Sequence, residues 1–152
     1  MEIEGLKAMN AEAARFIGAL VRYKNGATVV ALSGDLGSGK TTFAQGIAKA
    51  LGVEETVTSP TFVIEKIYEL QAQPFDIAQG KKFSHLIHID AYRLKDEHEL
   101  EVLGWKEIIA DPSNLIVIEW PEKVAVIIPE NAIRISFIDT GNARELTYTP
   151  ET

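Results

Sequence analysis

A chain of 152 residues, 46% hydrophobic and 24% charged, has the balance of one ordinary globular domain spanning 1–152, which excludes a disordered, collagen-like or disulfide-stapled polypeptide. It contains no cysteine, which removes disulfides, zinc ribbons and thiol catalysis, and its net charge of −7 argues against gripping nucleic acid directly through clustered lysine and arginine. The longest unbroken apolar run, Val124–Ile128, falls far short of the ~20 residues of a membrane span, and the acidic start Met1-Glu2-Ile3-Glu4-Gly5 is no secretory signal, so a cytoplasmic protein with no membrane association is expected.

In chain order, Asn10 is a candidate cap for a first helix, whose Ala13, Phe16, Ile17, Leu20 and Val21 fall on one face. Lys24-Asn25-Gly26 ends it, with Gly26 suited to a left-handed cap. Ala27–Leu32 reads as a short buried strand. A glycine-rich loop, Ser33–Lys40, leads into a helix over Thr41–Leu51, where Phe43, Ile47 and Leu51 repeat at helical spacing, and Gly52 closes it. Phe62–Leu70 and His85–Asp90 read as strands. The segment between them, Gln71–Ser84, carries Pro74 and Gly80 and lacks helical periodicity, so the two strands are expected to pair antiparallel. Asp96 and Glu99 form a capping-box pair for a helical stretch towards Ile109, bent or split near Gly104 and stopped by Asp111-Pro112. Leu115–Ile118 is a continuous apolar run, the mark of a central strand covered on both faces. A short helical turn follows Trp120-Pro121. Ile133, Ile135 and Phe137 then alternate, Asp139–Asn142 is a turn signal, and Arg144–Tyr148 returns as the partner strand. The expected fold is a three-layer α/β sandwich, its mixed sheet parallel at the centre and antiparallel at the edges.

The chemistry is carried by Gly34-Asp35-Leu36-Gly37-Ser38-Gly39-Lys40-Thr41, a match without exception to G-x-x-x-x-G-K-[ST], set between a buried strand and a helix. Glycines let backbone N–H groups turn inward around phosphate, and the helix N-terminus aims its partial positive charge at the same anion. Asp35, Leu36, Gly37, Ser38, Gly39, Lys40, Thr41 and Thr42 are therefore the candidate nucleotide-binding residues. Lys40 is assigned to the β- and γ-phosphates and Thr41 to magnesium. Two apolar strands end in a carboxylate, at Asp90 and at Glu119. If both run parallel to the strand before the loop, both acids point at the phosphates, where ligands of open α/β sheets bind. One of them then ligates magnesium, directly or through water, and the other positions the attacking water; the order is open. Lys40, Asp90 and Glu119 are thus the catalytic candidates, and Thr41, Glu119 and Asp90 the metal candidates. Ser59 and Thr61, in Thr58-Ser59-Pro60-Thr61-Phe62, are candidate switch residues, with an ordinary turn as the plain reading. Arg93 is a candidate phosphate contact or surface ion pair, Trp120 a partner contact or core residue, and His88 a satisfied core histidine.

Four segments together resemble the bacterial tRNA threonylcarbamoyladenosine biosynthesis ATPase family, TsaE: Gly34–Thr42, Thr58–Phe62, His88-Ile89-Asp90-Ala91-Tyr92-Arg93-Leu94, and Ile118-Glu119-Trp120-Pro121-Glu122-Lys123. The likeness runs from Asn10 to about Tyr148. It implies a P-loop NTPase-like ATPase that uses ATP and Mg²⁺ to let a TsaD-type transferase and its TsaB-type partner turn over, with tRNA held by those partners. It also implies that Lys40 and Thr41 bind phosphate and magnesium, that Asp90 and Glu119 serve the metal and its water, and that Trp120 lies beside them. Gln71–Ser84 is longer than the family's usual hairpin connection and is expected to project from the sheet edge. A small-molecule P-loop kinase is the alternative, but Arg15, Arg22, Arg93, Arg134 and Arg144 form no paired lid motif. A GTP switch is disfavoured by the lack of an Asn-Lys-x-Asp element. With no arginine evidently aimed at the γ-phosphate, slow hydrolysis by the isolated chain is expected.

Overall fold

The computed structural model describes residues 1–54, 65–70 and 83–150. Strands β1 (Glu2–Ile3), β2 (Thr28–Gly34), β3 (Glu65–Glu69), β4 (His85–Asp90), β5 (Asn114–Glu119), β6 (Ile133–Asp139) and β7 (Arg144–Thr149) form one sheet in the order β1-β7-β6-β2-β5-β4-β3. The four central strands, β6, β2, β5 and β4, are mutually parallel, and β3, β7 and β1 add antiparallel at the edges. Every residue of β5 is buried, as its unbroken apolar run requires for a strand covered on both sides.

Alternation along the strands sorts the core into two layers. Val30, Leu32, Leu86, Leu115, Val117, Ile135 and Phe137 meet helices α1 (Gly5–Ala19) and α2 (Lys40–Ala50) on one face. Val29, Ala31, Ile87, Ile89, Ile116 and Ile118 meet Leu100 of α3 (His98–Val102), Trp105 of α4 (Trp105–Ala110) and Val124 of a 3-10 helix over Pro121–Ile127 on the other. The expected three-layer sandwich is the one observed, and among the described residues no helix is long and apolar enough to cross a membrane.

Several boundaries differ from the sequence reading. Helix α1 begins at Gly5, so Asn10 lies inside it and caps nothing. The start is set by β1, whose Ile3 pairs with Arg144 and so anchors the chain where the helix departs. The helix ends at Ala19, with the Leu20 N–H donating to the Ile17 carbonyl at 3.2 Å, and Val21 is exposed. Gly26 is therefore no helix cap. It is needed because a Cβ there would stand 2.8 Å from the Ile109 carbonyl oxygen, where the chain passes under α4. The strand expected over Phe62–Leu70 is β3 where it is described; Phe62 and the rest of its start, with residues 71–82 of the connection, lie outside the described residues. The helical stretch after Asp96 is split at Gly104, whose φ is +87°. The capping box expected between Asp96 and Glu99 does not form: α3 starts after Glu97 without a side-chain cap, and the two carboxylates accept instead from neighbours outside the pair, Asp96 Oδ1 from the His98 N–H and Glu99 Oε2 from the Lys95 N–H.

Candidate functional site

Parallel pairing brings three strand tips to one end of the sheet. Leu32 of β2 and Asp90 of β4 both stand opposite Glu119 of β5, and the loop after β2 opens on the same side. In that loop the Gly37 φ is +77° and the Gly39 φ +108°, values that side chains rarely adopt. A Cβ on Gly39 would also press within 3.1 Å of the Met9 side chain. The loop thereby turns directly into α2, and Lys40 and Thr41 stand at the helix N-terminus, where free N–H groups favour an anion.

The polar groups here are engaged with one another. Thr41 Oγ1 donates to Glu119 Oε1 at 2.9 Å, and His88 Nε2 lies 2.6 Å from Glu119 Oε2. Lys40 Nζ donates to the Gly34 carbonyl, lies 3.4 Å from the Asp35 carbonyl, and sits 3.6 Å from the centroid of the Trp120 ring. Burial pushes the Lys40 ammonium below its ordinary pKa, against the opposing pull of Glu119, Glu122, Asp90 and Asp35. Asp90 is pushed up, first by burial and further by the charge of Glu119, while the Tyr92 N–H on Oδ1 at 3.0 Å works the other way. Trp120 holds a left-handed backbone, φ 59°, which costs a non-glycine residue about 1–3 kcal/mol. That turn lays its indole between Lys40 and Tyr92, whose ring centroid is 5.0 Å away.

These groups open on a cavity of about 530 Å³. Of the sequence candidates, Leu36, Gly37, Ser38, Gly39, Lys40, Thr41, Thr42, Asp90, Glu119 and Trp120 line it. Asp35, which is exposed, and Arg93 are not among the lining residues. Ser59 and Thr61 lie outside the described residues. The sequence reading missed the far wall, made by Ile3, Leu6 and Met9 from the entry to α1 and by Asn142, Ala143 and Arg144 from the β6–β7 turn. Arg144 stands there with Nη1 3.1 Å from Asp139 Oδ1. No local motif marks these residues; they reach the cavity because β1 and β7 pair beside it. His88 is buried as expected of a core histidine, but among the described residues its Nδ1 has no hydrogen-bond partner.

The donor set suits a small hard cation. Thr41 Oγ1, Glu119 Oε1 and the neighbouring Asp90 carboxylate offer oxygen only, the preference of magnesium.

The sequence pattern of the family described as Threonylcarbamoyl adenosine biosynthesis protein TsaE matches residues 7–146. The chain is 36% identical over 117 residues to the tRNA threonylcarbamoyladenosine biosynthesis protein TsaE of Borreliella burgdorferi, covering 76% of this chain and 77% of that one. It is likewise 36% identical over 122 residues to the protein of the same name from Bacillus subtilis, covering 80% and 68%. The crystal structure of Bacillus subtilis YdiB is similar with a TM-score of 0.70 and 26% identity, covering 97% of this chain and 82% of that chain.

Proposed function

The chain belongs to the TsaE family of threonylcarbamoyl adenosine biosynthesis proteins, and from that premise we propose that it binds and hydrolyses ATP in support of tRNA threonylcarbamoyladenosine formation by a TsaB–TsaD-type transferase complex. The observation that carries the reading is the meeting of Lys40, Thr41, Asp90 and Glu119 on one cavity at the N-terminus of α2. Backbone N–H groups of Gly37–Thr41 cradle the phosphates, and Lys40 leaves the Gly34 carbonyl and the Trp120 ring to meet their charge. Thr41 and Glu119 hold magnesium, with Asp90 beside them. Magnesium, when bound, supplies neutralisation of the charge that develops on the transferring phosphoryl group. Asp90, raised by burial and by Glu119, is suited to orient and accept from the attacking water.

Slow turnover by the chain alone follows from the same geometry. Arg144 is the arginine that lines the cavity among the described residues, and its guanidinium is tied to Asp139. P-loop enzymes without an engaged arginine run slower by about 10³–10⁵-fold. The test is phosphate release from ATP and from GTP, by the chain alone and with TsaB- and TsaD-type partners. Release from ATP that rises with the partners supports the reading. Phosphate transfer to a small-molecule acceptor without them would replace it with the kinase reading.

A further inference from the structure

Glu119 is gripped from two sides, and only one side belongs to the phosphate loop. Thr41 takes Oε1; His88, two residues before Asp90 on the same face of β4, takes Oε2. The side chains of His88 and Glu119 are 2% and 3% exposed, so water does not compete for this contact. A carboxylate only accepts, so the proton between them is carried by His88 Nε2, and Nδ1 has no hydrogen-bond partner among the described residues. A histidine kept merely to fill the core would do so at lower cost as a leucine, with no orphaned nitrogen. The register explains the placement. His88 stands opposite Val117 and Asp90 opposite Glu119, so the Glu119 side chain must lean back along β4, away from the Asp90 charge, to meet the imidazole.

We propose that His88 is a positioning residue: by donating from Nε2 to Glu119 Oε2 it fixes the carboxylate so that Oε1 faces Thr41 and the cavity, in the pose that receives the magnesium–nucleotide complex. The inference rests on the nucleotide reading above. It concerns a residue that touches neither phosphate nor metal and acts through Glu119 alone.

The test measures equilibrium binding of the β,γ-imido analogue of ATP, with magnesium and with a chelator in its place, so that no turnover is needed. Glutamine carries a side-chain N–H at the reach of Nε2, whereas the shorter asparagine reaches only as far as Nδ1. In the chelator, H88A, H88N and H88Q are expected to bind like the unsubstituted chain within about 3-fold. The tightening that magnesium adds is expected to fall by ~10–100-fold in H88A and H88N, the usual loss when the partner of a metal ligand is removed, and to be largely kept in H88Q. Adding H88A to E119Q is expected to cost nothing more than E119Q alone. Full magnesium tightening in H88A, equal loss in H88Q and H88N, or additive losses in the double variant would each overturn the proposal. Should H88A fail to fold, the H88N and H88Q pair, closer in size and polarity, decides the matter. If the unsubstituted chain binds no nucleotide with or without magnesium, the nucleotide reading falls and the positioning role with it. Binding by the unsubstituted chain with unaltered H88 variants removes the positioning role alone.

Discussion

Replacing Lys40 with methionine keeps the length of the stem and removes the ammonium. In the structure that ammonium is spent on the Gly34 carbonyl and on the face of Trp120, 3.6 Å from the ring centroid. A unit charge about 4 Å from a phosphate charge gains about 4 kcal/mol at an effective dielectric constant near 20. Leaving the carbonyl forfeits about 1.5 kcal/mol and leaving the indole about 0.5 kcal/mol. The net contribution to nucleotide binding is therefore about 2 kcal/mol, or ~30-fold in the dissociation constant. Titration calorimetry of the Lys40→Met variant with ADP and magnesium should show that loss, and phosphate release from ATP should vanish. Circular dichroism checks that the variant is folded. A folded variant that binds within about 3-fold of the unsubstituted chain would refute the reasoning, because the lysine would then not turn to the phosphates. Normal support of tRNA modification by the same variant would refute the role of the loop.

Glu119→Gln should lower phosphate release far more than it lowers nucleotide affinity measured in chelator, since Glu119 meets Thr41 rather than the glycine cradle; equal loss of both would mark a structural role. With Trp105 replaced by phenylalanine, the fluorescence of Trp120 should change when nucleotide draws Lys40 off its ring, and an unchanged spectrum on saturation would contradict that movement. Away from the site, Glu12 is buried. Burial alone would raise its carboxyl, but hydrogen bonds from Arg15 and Tyr148 and the Arg15 charge outweigh it and hold the group below its ordinary 4.5. A depressed folded pKa adds stability that is present above the unfolded value and lost as pH falls through the folded one. Glu12→Gln should thus lower the urea-unfolding free energy by ~1–2 kcal/mol at pH 7, and the gap should close below pH 4.5; a gap that persists under acid would remove the ionic part of the account.

The loop and its flanks were readable because their signals are local. Gly34–Thr41 announces a phosphate cradle through residue type and spacing, and the apolar runs ending at Asp90 and Glu119 announce buried strands with a charge at the tip. The first helix was misread at both ends for a related reason. Asn10 is a favoured cap in isolation, yet Ile3 paired to Arg144 across the sheet decides where the helix departs. Val21 continues the apolar spacing but follows a chain that has already left the helix at Leu20. His88 reads as a satisfied core histidine and is indeed buried, but residue type alone does not reveal that its partner is Glu119, 31 residues further along the chain.

Periodicity, turn chemistry and one phosphate-loop pattern thus establish the element types, the layered α/β architecture and the residues at the N-terminus of α2. Strand order is different in kind. Any arrangement of these buried strands would hide the same apolar faces, so the pattern of hydrophobic residues does not choose among them. Tertiary pairing alone sets β5 between β2 and β4, which carries Glu119 to Thr41 across 78 residues of sequence and seats His88 behind it. The same pairing sets β7 and β1 at the far edge, where the turn before Arg144 and the entry to α1 close the cavity wall. Contacts of that range depend on register and order, which adjacent residues do not encode.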